Sequence, residues 1–191
     1  MTAKHLCGRN RFASLSLVAL LTGCGMSISD IRVSIDPSTV VPMANQRPRR
    51  AQVSVTDIRR EVTMERSTLG GMSMGRITLV PPAQDIIKAM IETKADDVLA
   101  SGGIAEPQTV LCGIRRFDIA TPATLFRWDV NARIELVLRV RGQDRTVSGQ
   151  ATEHVAWWPS EEIIARVTAE ALRQVAVETE GALTELFAAV R

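Results

Sequence analysis

The sequence predicts an α+β domain: a two-layer fold in which a four-stranded, largely antiparallel sheet carries two helices on one face. In several stretches apolar residues alternate with polar ones, which is typical of half-buried strands. In two other stretches they recur every three or four residues, which is typical of amphipathic helices. The resulting order is strand, helix, three strands, helix. Because the apolar face of such a sheet needs cover, both helices are expected to pack on it.

The first strand and the first helix are separated by a glycine-containing stretch. Residues 52–58 alternate and are rich in β-branched side chains, so they are predicted to form a strand. Residues 59–75 are interpreted as a flexible loop or irregular hairpin, since their glycines match no phosphate-binding motif, and a short apolar run follows at 77–80. A helix then begins after Pro81-Pro82 and ends at Gly102-Gly103. Its apolar stripe is Ile86, Ile87, Met90, Ile91, Ala95, Val98 and Leu99.

The clearest pattern in the chain lies at residues 126–141. Even-numbered residues are apolar there and most odd-numbered ones are polar, which predicts a strand with one buried and one solvent-exposed face. Residues 109–118 form the strand before it, with Val110, Cys112 and Ile114 on one side. Residues 145–158 form the strand after it, so the three make an antiparallel meander.

A long amphipathic helix is predicted from Pro159-Ser160 almost to the C-terminus. Glu161 and Glu162 lie in its first turn, where the helix dipole favours negative charge. One face carries the apolar stripe, which comprises Ile164, Val167, Ala171, Val175, Thr179, Leu183, Leu186 and Val190.

Composition limits the function classes. The chain has 191 residues, 46% of them hydrophobic and 23% charged, which suits one folded domain. Its 23 basic and 21 acidic residues balance too evenly for a nucleic-acid-binding protein. Two histidines, three cysteines and no tyrosine leave few groups for a catalytic or metal site. We therefore expect a protein that is not an enzyme and needs no cofactor or metal.

Residues 1–23 resemble a secretory signal peptide. Lys4, Arg9 and Arg11 form a basic region without acids, so the formal net charge changes from +2 to −1 when these three cations are removed. The apolar segment at 12–21 is shorter than the roughly 20 residues of a membrane-spanning helix.

Directly after this segment, Leu21, Thr22, Gly23 and Cys24 resemble the lipobox of bacterial lipoproteins. The resemblance implies lipidation of the Cys24 thiol, cleavage before Cys24 and acylation of the new amine, which together make a firm membrane anchor. The absence of an aspartate at position 25 favours the outer membrane over the inner membrane. The alternatives are an ordinary cleaved signal with a chance cysteine, or a buried apolar N-terminal helix.

Residues 24–50 are interpreted as the lipidated N-terminus and a tether, because prolines interrupt them and only residues 31–35 have an extended pattern. Such a tether could hold the domain, residues 51–191, tens of Å from the lipid. Arg47, Arg49 and Arg50 would contact anionic head groups or belong to a solvated linker.

The whole arrangement resembles the YajG-type outer-membrane lipoproteins. The resemblance rests on the lipobox, the strand at 53–60 that ends in arginines, and the segment from Trp128 to Leu136. The layout is also similar to LptE-like lipoproteins and to the auxiliary lipoproteins of lipid-trafficking ABC systems. It implies a protein anchored on the periplasmic face of the outer membrane, without catalytic residues.

Two residue pairs are the remaining candidates for a site. Cys112 and His154 form the only nucleophile–base combination in the predicted domain, and we interpret them as a core cysteine and a surface histidine because no third group orients the base. Trp157 and Trp158 are either a partner or lipid contact, or the capped end of a strand.

Two functions therefore remain open. The first is a structural or adaptor lipoprotein that docks an envelope protein. The second is a transport or assembly accessory that binds lipid or lipopolysaccharide, possible if an apolar cavity lies between helices and sheet, whereas a filled core favours the adaptor.

Overall fold

The structure is a computed structural model that describes residues 29–40, 50–62 and 64–189. Strands and helices follow one another in a mixed α+β order, with a single 3₁₀ turn (Pro37–Thr39) after the first strand. The strands are β1 (Ile31–Ser34), β2 (Ala51–Asp57), β3 (Met64–Ser67), β4 (Ser73–Val80), β5 (Gln108–Pro122), β6 (Trp128–Val140) and β7 (Gln143–Val155), and the helices are α1 (Ala83–Ser101) and α2 (Glu161–Ala188).

The seven strands form one open, mixed sheet in the order β1-β4-β3-β5-β6-β7, with β2 also beside β5. One edge of β5 pairs antiparallel with β6, while the other pairs in parallel with β2 and then with β3. β1 extends the sheet by parallel pairing with β4. The predicted α+β class, the two helices and the antiparallel meander are confirmed. The predicted number of four strands is wrong, because β1, β3 and β4 also belong to the sheet. The predicted largely antiparallel pairing is wrong as well, because three of the six strand pairings among the described residues are parallel.

The strands missing from the prediction are short or irregular. β3 has only 4 residues, three of them polar. In β4 the alternation breaks at Gly75, whose φ of 122° is rarely adopted by other residues, so the buried Met74 and Ile77 lie three positions apart. A side chain on Gly75 would also collide with the carbonyl group of Ser29. The predicted loop at 59–75 therefore contains β3 and the start of β4.

Residues 31–40 pack on the domain and do not extend away from it. The predicted extended stretch is present as β1, but its Val33 is buried in the core, together with Ile35 and Val40. Residues that precede position 51, the start of the predicted domain, thus contribute to its core.

Strand β6 has the predicted alternation, with even-numbered residues buried from Val130 to Val140. It begins at Trp128, however, and Phe126 lies in the preceding loop with 89% of its surface exposed. In β5 a bulge between Ile114 and Arg116 shifts the alternation by one residue, so Phe117 also faces the core.

The two helices cover the apolar face of the sheet and contact each other. α1 buries the seven apolar residues predicted for it. α2 begins after Ser160, whose hydroxyl accepts a hydrogen bond from the Ile163 N–H at 3.3 Å. α2 contacts β6 and β7 and also β1 at the opposite edge, so the sheet curves around this helix.

Candidate functional site

The predicted lipidation site lies outside the described residues. Leu21, Thr22, Gly23 and Cys24 precede the first described residue, Ser29. Two of the three tether arginines, at positions 47 and 49, also fall outside.

The third tether arginine, Arg50, is held by the domain. Its backbone N–H donates to Asp96 Oδ1 at 2.8 Å, and its guanidinium donates to the Ile104 carbonyl at 3.3 Å. These contacts place Arg50 beside the C-terminal part of α1.

The two predicted contact residues, Trp157 and Trp158, follow β7 and have different surroundings. The Trp158 ring packs edge-on against Trp128, with centroids 4.7 Å apart, and lies 4.9 Å from the guanidinium carbon of Arg66. It is 37% exposed, whereas Trp157 is 85% exposed. Trp158 thus covers the core beyond the end of β7, whereas Trp157 is exposed enough to contact a partner or lipid.

Arg66 is a buried cation that the sequence pattern does not reveal. Its guanidinium donates to the carbonyl oxygens of Ser29 and of Met74, the latter at 3.2 Å, while its Nε has no hydrogen-bond partner among the described residues. Burial lowers the pKa of the Arg66 guanidinium, and the charge of Asp30 opposes that shift. Arg66 therefore connects β3 with the residues just before β1, with β4 and with the segment that holds Trp158.

Three loops meet at this end of the sheet, and we call residues 68–72, 123–127 and 156–160 the loop end. They carry large apolar side chains that are 59% to 89% exposed. These side chains are Leu69, Met72, Leu125, Phe126 and Trp157. None of the three loops contains an aspartate or a glutamate.

Hydrogen bonds hold the first two loops in defined turns. The Ala123 N–H donates to the Ser67 carbonyl at 3.1 Å, which joins the β5–β6 loop to the end of β3. Within the loops, the Thr68 N–H donates to the Met72 carbonyl at 2.9 Å, and the Thr124 N–H donates to the Arg127 carbonyl at 2.7 Å. The exposed apolar side chains of these two loops therefore sit on hydrogen-bonded turns.

The structure does not bring Cys112 and His154 together. Cys112 pairs with Leu138 and His154 with Asp129, nine positions apart on β6, which corresponds to about 30 Å along the strand. Cys112 is buried, and desolvation raises the pKa of its thiol to about 12. His154 lies on the solvent side, with Nδ1 2.8 Å from an Asp129 carboxylate oxygen.

The open face of the sheet, opposite the helices, is polar and carries ion pairs between oppositely charged side chains. Arg115 lies 3.1 Å from Glu135, and Arg116 lies 3.1 Å from Asp118. Together with Ile58, three of these residues (Arg115, Arg116 and Asp118) line an open cleft of about 730 Å³.

Helix α2 covers part of the free edge of β7. Glu178 Oε2 accepts a hydrogen bond from the Ser148 N–H at 2.7 Å, and Gln174 Oε1 accepts one from the Gln150 N–H at 3.2 Å. These backbone donors are therefore occupied and cannot pair with another strand.

Two features are absent from the described residues. None of the helices within 29–40, 50–62 and 64–189 is both long and apolar enough to cross a membrane. In the same part of the chain, no three His, Cys, Asp or Glu side chains come together as a metal site would require.

No protein-family model matches the chain, and no curated protein matches it. Among solved structures, protein XCC0632 from Xanthomonas campestris, of the DUF330 family, has a TM-score of 0.41 and 14% identity over 85% of this chain and 96% of its own. An uncharacterized protein has a TM-score of 0.40 and 12% identity over 70% of this chain and 88% of its own.

A third structure, from Caulobacter crescentus and provisionally described as a lipoprotein, has a TM-score of 0.29 and 14% identity over 49% of this chain and 80% of its own. All three TM-scores are below 0.5, so no residue role is transferred from these proteins. None of the three is described as YajG-type, and that resemblance stays a prediction.

Sequence reasoning missed the burial of Arg66 and the loop position of Phe126. Arg66 lies in a short polar strand, where nothing in the pattern marks it as buried. Phe126 continues the even-numbered apolar series of β6, which predicts a strand position for it. The adjacent apolar pair Leu125-Phe126, which breaks strict alternation, was the available signal for a loop.

Proposed function

We propose that this chain is a lipid-anchored cell-envelope protein, attached to the outer membrane through Cys24 and acting on its periplasmic face as a non-catalytic adaptor. The observation that carries the proposal is the lipobox-like sequence Leu21-Thr22-Gly23-Cys24, which follows an apolar segment and is separated by only residues 25–28 from the first described residue of the domain. A lipidated Cys24 would therefore attach the domain closely to a membrane.

The interior of the domain supports the adaptor over the lipid or lipopolysaccharide carrier. Large side chains such as Phe117, Leu136 and Phe187 fill the space between sheet and helices. A cavity between the 3₁₀ turn and α1 has a volume of about 60 Å³, far below the roughly 300–1,000 Å³ of ordinary ligand pockets, so an acyl chain would have to displace core side chains to bind there. A larger cleft of about 330 Å³ between residues 34–39 and α2 is open to solvent, and the charged residues Glu162, Arg166 and Arg173 form part of its lining.

The open sheet face is the surface that we assign to the protein partner. It is polar and not covered by a helix, and charges of both signs lie side by side on it, as with Arg115 and Glu135. Such a pattern can fix the orientation of a partner with complementary charges.

Metabolic labelling tests the anchor. Cells that express the wild-type chain should incorporate radiolabelled palmitate into it, and Cys24→Ala should abolish the label and leave an unprocessed precursor. Cys7→Ala is the matched control, because it removes a cysteine from the signal segment and should leave labelling unchanged. Label that persists on Cys24→Ala would contradict the anchor.

Site-specific photo-crosslinking tests the adaptor role. A photoreactive amino acid at the exposed position of Arg133, on the open face, should form one discrete adduct with an envelope protein. The same residue at Val177, on the outer surface of α2, should not. Identical adducts from both positions, or none from position 133, would count against the assigned face.

A further inference from the structure

The loop end combines exposed apolar side chains with an absence of acidic ones. Its three loops contribute two aromatic residues, Phe126 and Trp157, that are among the most exposed large apolar side chains in the described part of the chain. Arg127 is the single charged residue within 68–72, 123–127 and 156–160. A surface of this composition suits the boundary between lipid head groups and acyl chains, where aromatic side chains concentrate.

The chain enters the folded domain at this same end. The Arg66 guanidinium donates a hydrogen bond to the Ser29 carbonyl there and also packs against the Trp158 ring. The neighbouring Asp30 is fixed as well, because its Oδ1 accepts a hydrogen bond from the Arg76 N–H at 2.8 Å. Both β1 and β4 run away from the loop end, since they pair in parallel and β4 begins directly after residue 72.

The length of chain between Cys24 and Ser29 limits how far this end can be from the anchor. Five peptide steps at about 3.6 Å each span at most about 18 Å, even when fully extended. The predicted tether of tens of Å is thus not available, because residues 31–40 are bound to the domain. The loop end is the part of the domain that the anchor holds nearest to the lipid.

We propose that the loop end docks directly onto the phospholipid surface, with Leu125, Phe126 and Trp157 inserted among the head groups of the membrane that holds the anchor. The inference rests on the proposed function, because it needs Cys24 to be lipidated. It gives the domain a defined orientation, with the strands of the sheet directed away from the membrane and the open face accessible from the side. The three loops would act as a second attachment beside the acyl chains.

The test uses lipidated protein reconstituted in phosphatidylethanolamine–phosphatidylglycerol vesicles. Phe126→Cys introduces a thiol at a fully solvent-accessible position, and the buried thiol of Cys112 should not compete for the label. After labelling with a nitrobenzoxadiazole fluorophore, we measure quenching by lipids brominated in the acyl chain and reduction by aqueous dithionite. Val177→Cys is the matched control, since Val177 is an exposed apolar residue outside the loop end.

The expected result is strong quenching by brominated lipid and several-fold slower reduction for the fluorophore at 126 than at 177. Equal reduction rates at both positions would overturn docking. If the fluorophore at position 126 is protected from dithionite but loses this protection when the protein is diluted at constant lipid, a second copy of the chain covers the position. That result would also overturn docking onto lipid. The mass of the N-terminal peptide is measured on the same samples: an unmodified Cys24 refutes the anchor, whereas lipidated Cys24 without protection at 126 refutes only the docking.

Discussion

The guanidinium carbon of Arg66 lies 4.9 Å from the centre of the Trp158 ring, so a buried cation on β3 is covered by an aromatic side chain from the segment between β7 and α2. The same guanidinium donates to the carbonyl oxygens of Ser29 and Met74. One side chain therefore connects four parts of the fold at the loop end. A cation–aromatic contact contributes about 0.5–2 kcal/mol, with the larger values at sites removed from solvent.

Substitution of Arg66 should measurably destabilise the domain. Arg66→Ala removes charged donors from two carbonyl groups and should lower the free energy of unfolding by about 2–3 kcal/mol in urea denaturation. In a double-mutant cycle with Trp158→Ala, the two losses should couple by about 1 kcal/mol. Arg32→Ala, at an exposed position on β1, is the control and should change stability by less than about 0.5 kcal/mol. If the stability losses of the two single variants simply add in the double variant, the contact between Arg66 and Trp158 is contradicted.

The sequence was sufficient to predict elements whose periodicity is unbroken. Helix α1 buries its predicted stripe, and β6 alternates as expected, because in both the residue spacing matches the geometry of the element. β4 escaped prediction because Gly75 breaks its alternation, and β3 because 4 residues are too few to show a period. The parallel pairing of β2 and β3 with β5 depends on contacts between distant segments, which local patterns do not encode.

The candidate site was predictable only in part. The sequence predicts Trp157 and Trp158 to be either a contact or the capped end of a strand, and the structure places both residues after the end of β7. Their difference in exposure depends on Arg66 and Trp128, which are distant in sequence. The clustering of Leu69, Met72 and Phe126 likewise follows from strand topology, because β3 and β5 are parallel and finish at the same end of the sheet.

Stability should fall at alkaline pH because of Cys112. Burial raises the pKa of this thiol to about 12, whereas an unfolded cysteine titrates near 8.5. The unfolded state therefore loses its proton first, so the contribution of the protonated thiol is complete below about pH 8.5 and declines as the pH rises towards 12. Urea denaturation at pH 7.5 and 10 should show this decline.

Cys112→Ala provides the control for the pH effect. The variant lacks the titrating thiol, so its loss of stability between pH 7.5 and 10 should be smaller than that of the wild type. An equal loss in both proteins would assign the alkaline effect to other groups. In the folded wild type, the thiol should also resist Ellman's reagent at pH 8 and react only after denaturation.

Two glycines should respond to alanine in opposite directions. A Cβ on Gly149 of β7 would collide with the Ala171 carbonyl and approach Val175 Cγ2 to 2.8 Å, so Gly149→Ala should cost about 1–3 kcal/mol by forcing α2 off the sheet. Gly181 lies within α2 with nothing near its Cβ position, so Gly181→Ala should add about 0.5–1 kcal/mol. Thermal denaturation of both variants measures the difference. A neutral Gly149→Ala would mean that the helix lies farther from β7.

The Glu178 carboxylate should protect the edge of β7. It accepts a hydrogen bond from the Ser148 N–H, so Glu178→Ala should cost about 1 kcal/mol and accelerate hydrogen exchange at the Ser148 amide. Glu178→Gln keeps an acceptor oxygen and should lose less protection. If the Ser148 amide exchanges at the wild-type rate in both variants, the Glu178 carboxylate does not protect this edge, because water accepts the hydrogen bond equally well.

The two faces of β6 should differ most clearly in their tolerance of substitution. Ile134 and Leu136 are buried under the helices, so Ile134→Asp or Leu136→Asp places a carboxylate in an apolar layer. The cost of several kcal/mol is enough to unfold a domain that is stable by about 5–15 kcal/mol. Circular dichroism of the purified variants would detect the loss of structure.

The opposite face of β6 provides the comparison. Arg133→Ser and Glu135→Ser change side chains of the open face and should leave stability within about 0.5 kcal/mol of the wild type. Destabilisation of the purified protein by both would mean that this face is covered within the monomer, which contradicts an open sheet. If both variants are stable in vitro but lose the cellular role, and Glu135→Ser also loses the adduct formed from position 133, the defect lies in partner binding, because the fold is intact and only the charges presented by the open face have changed.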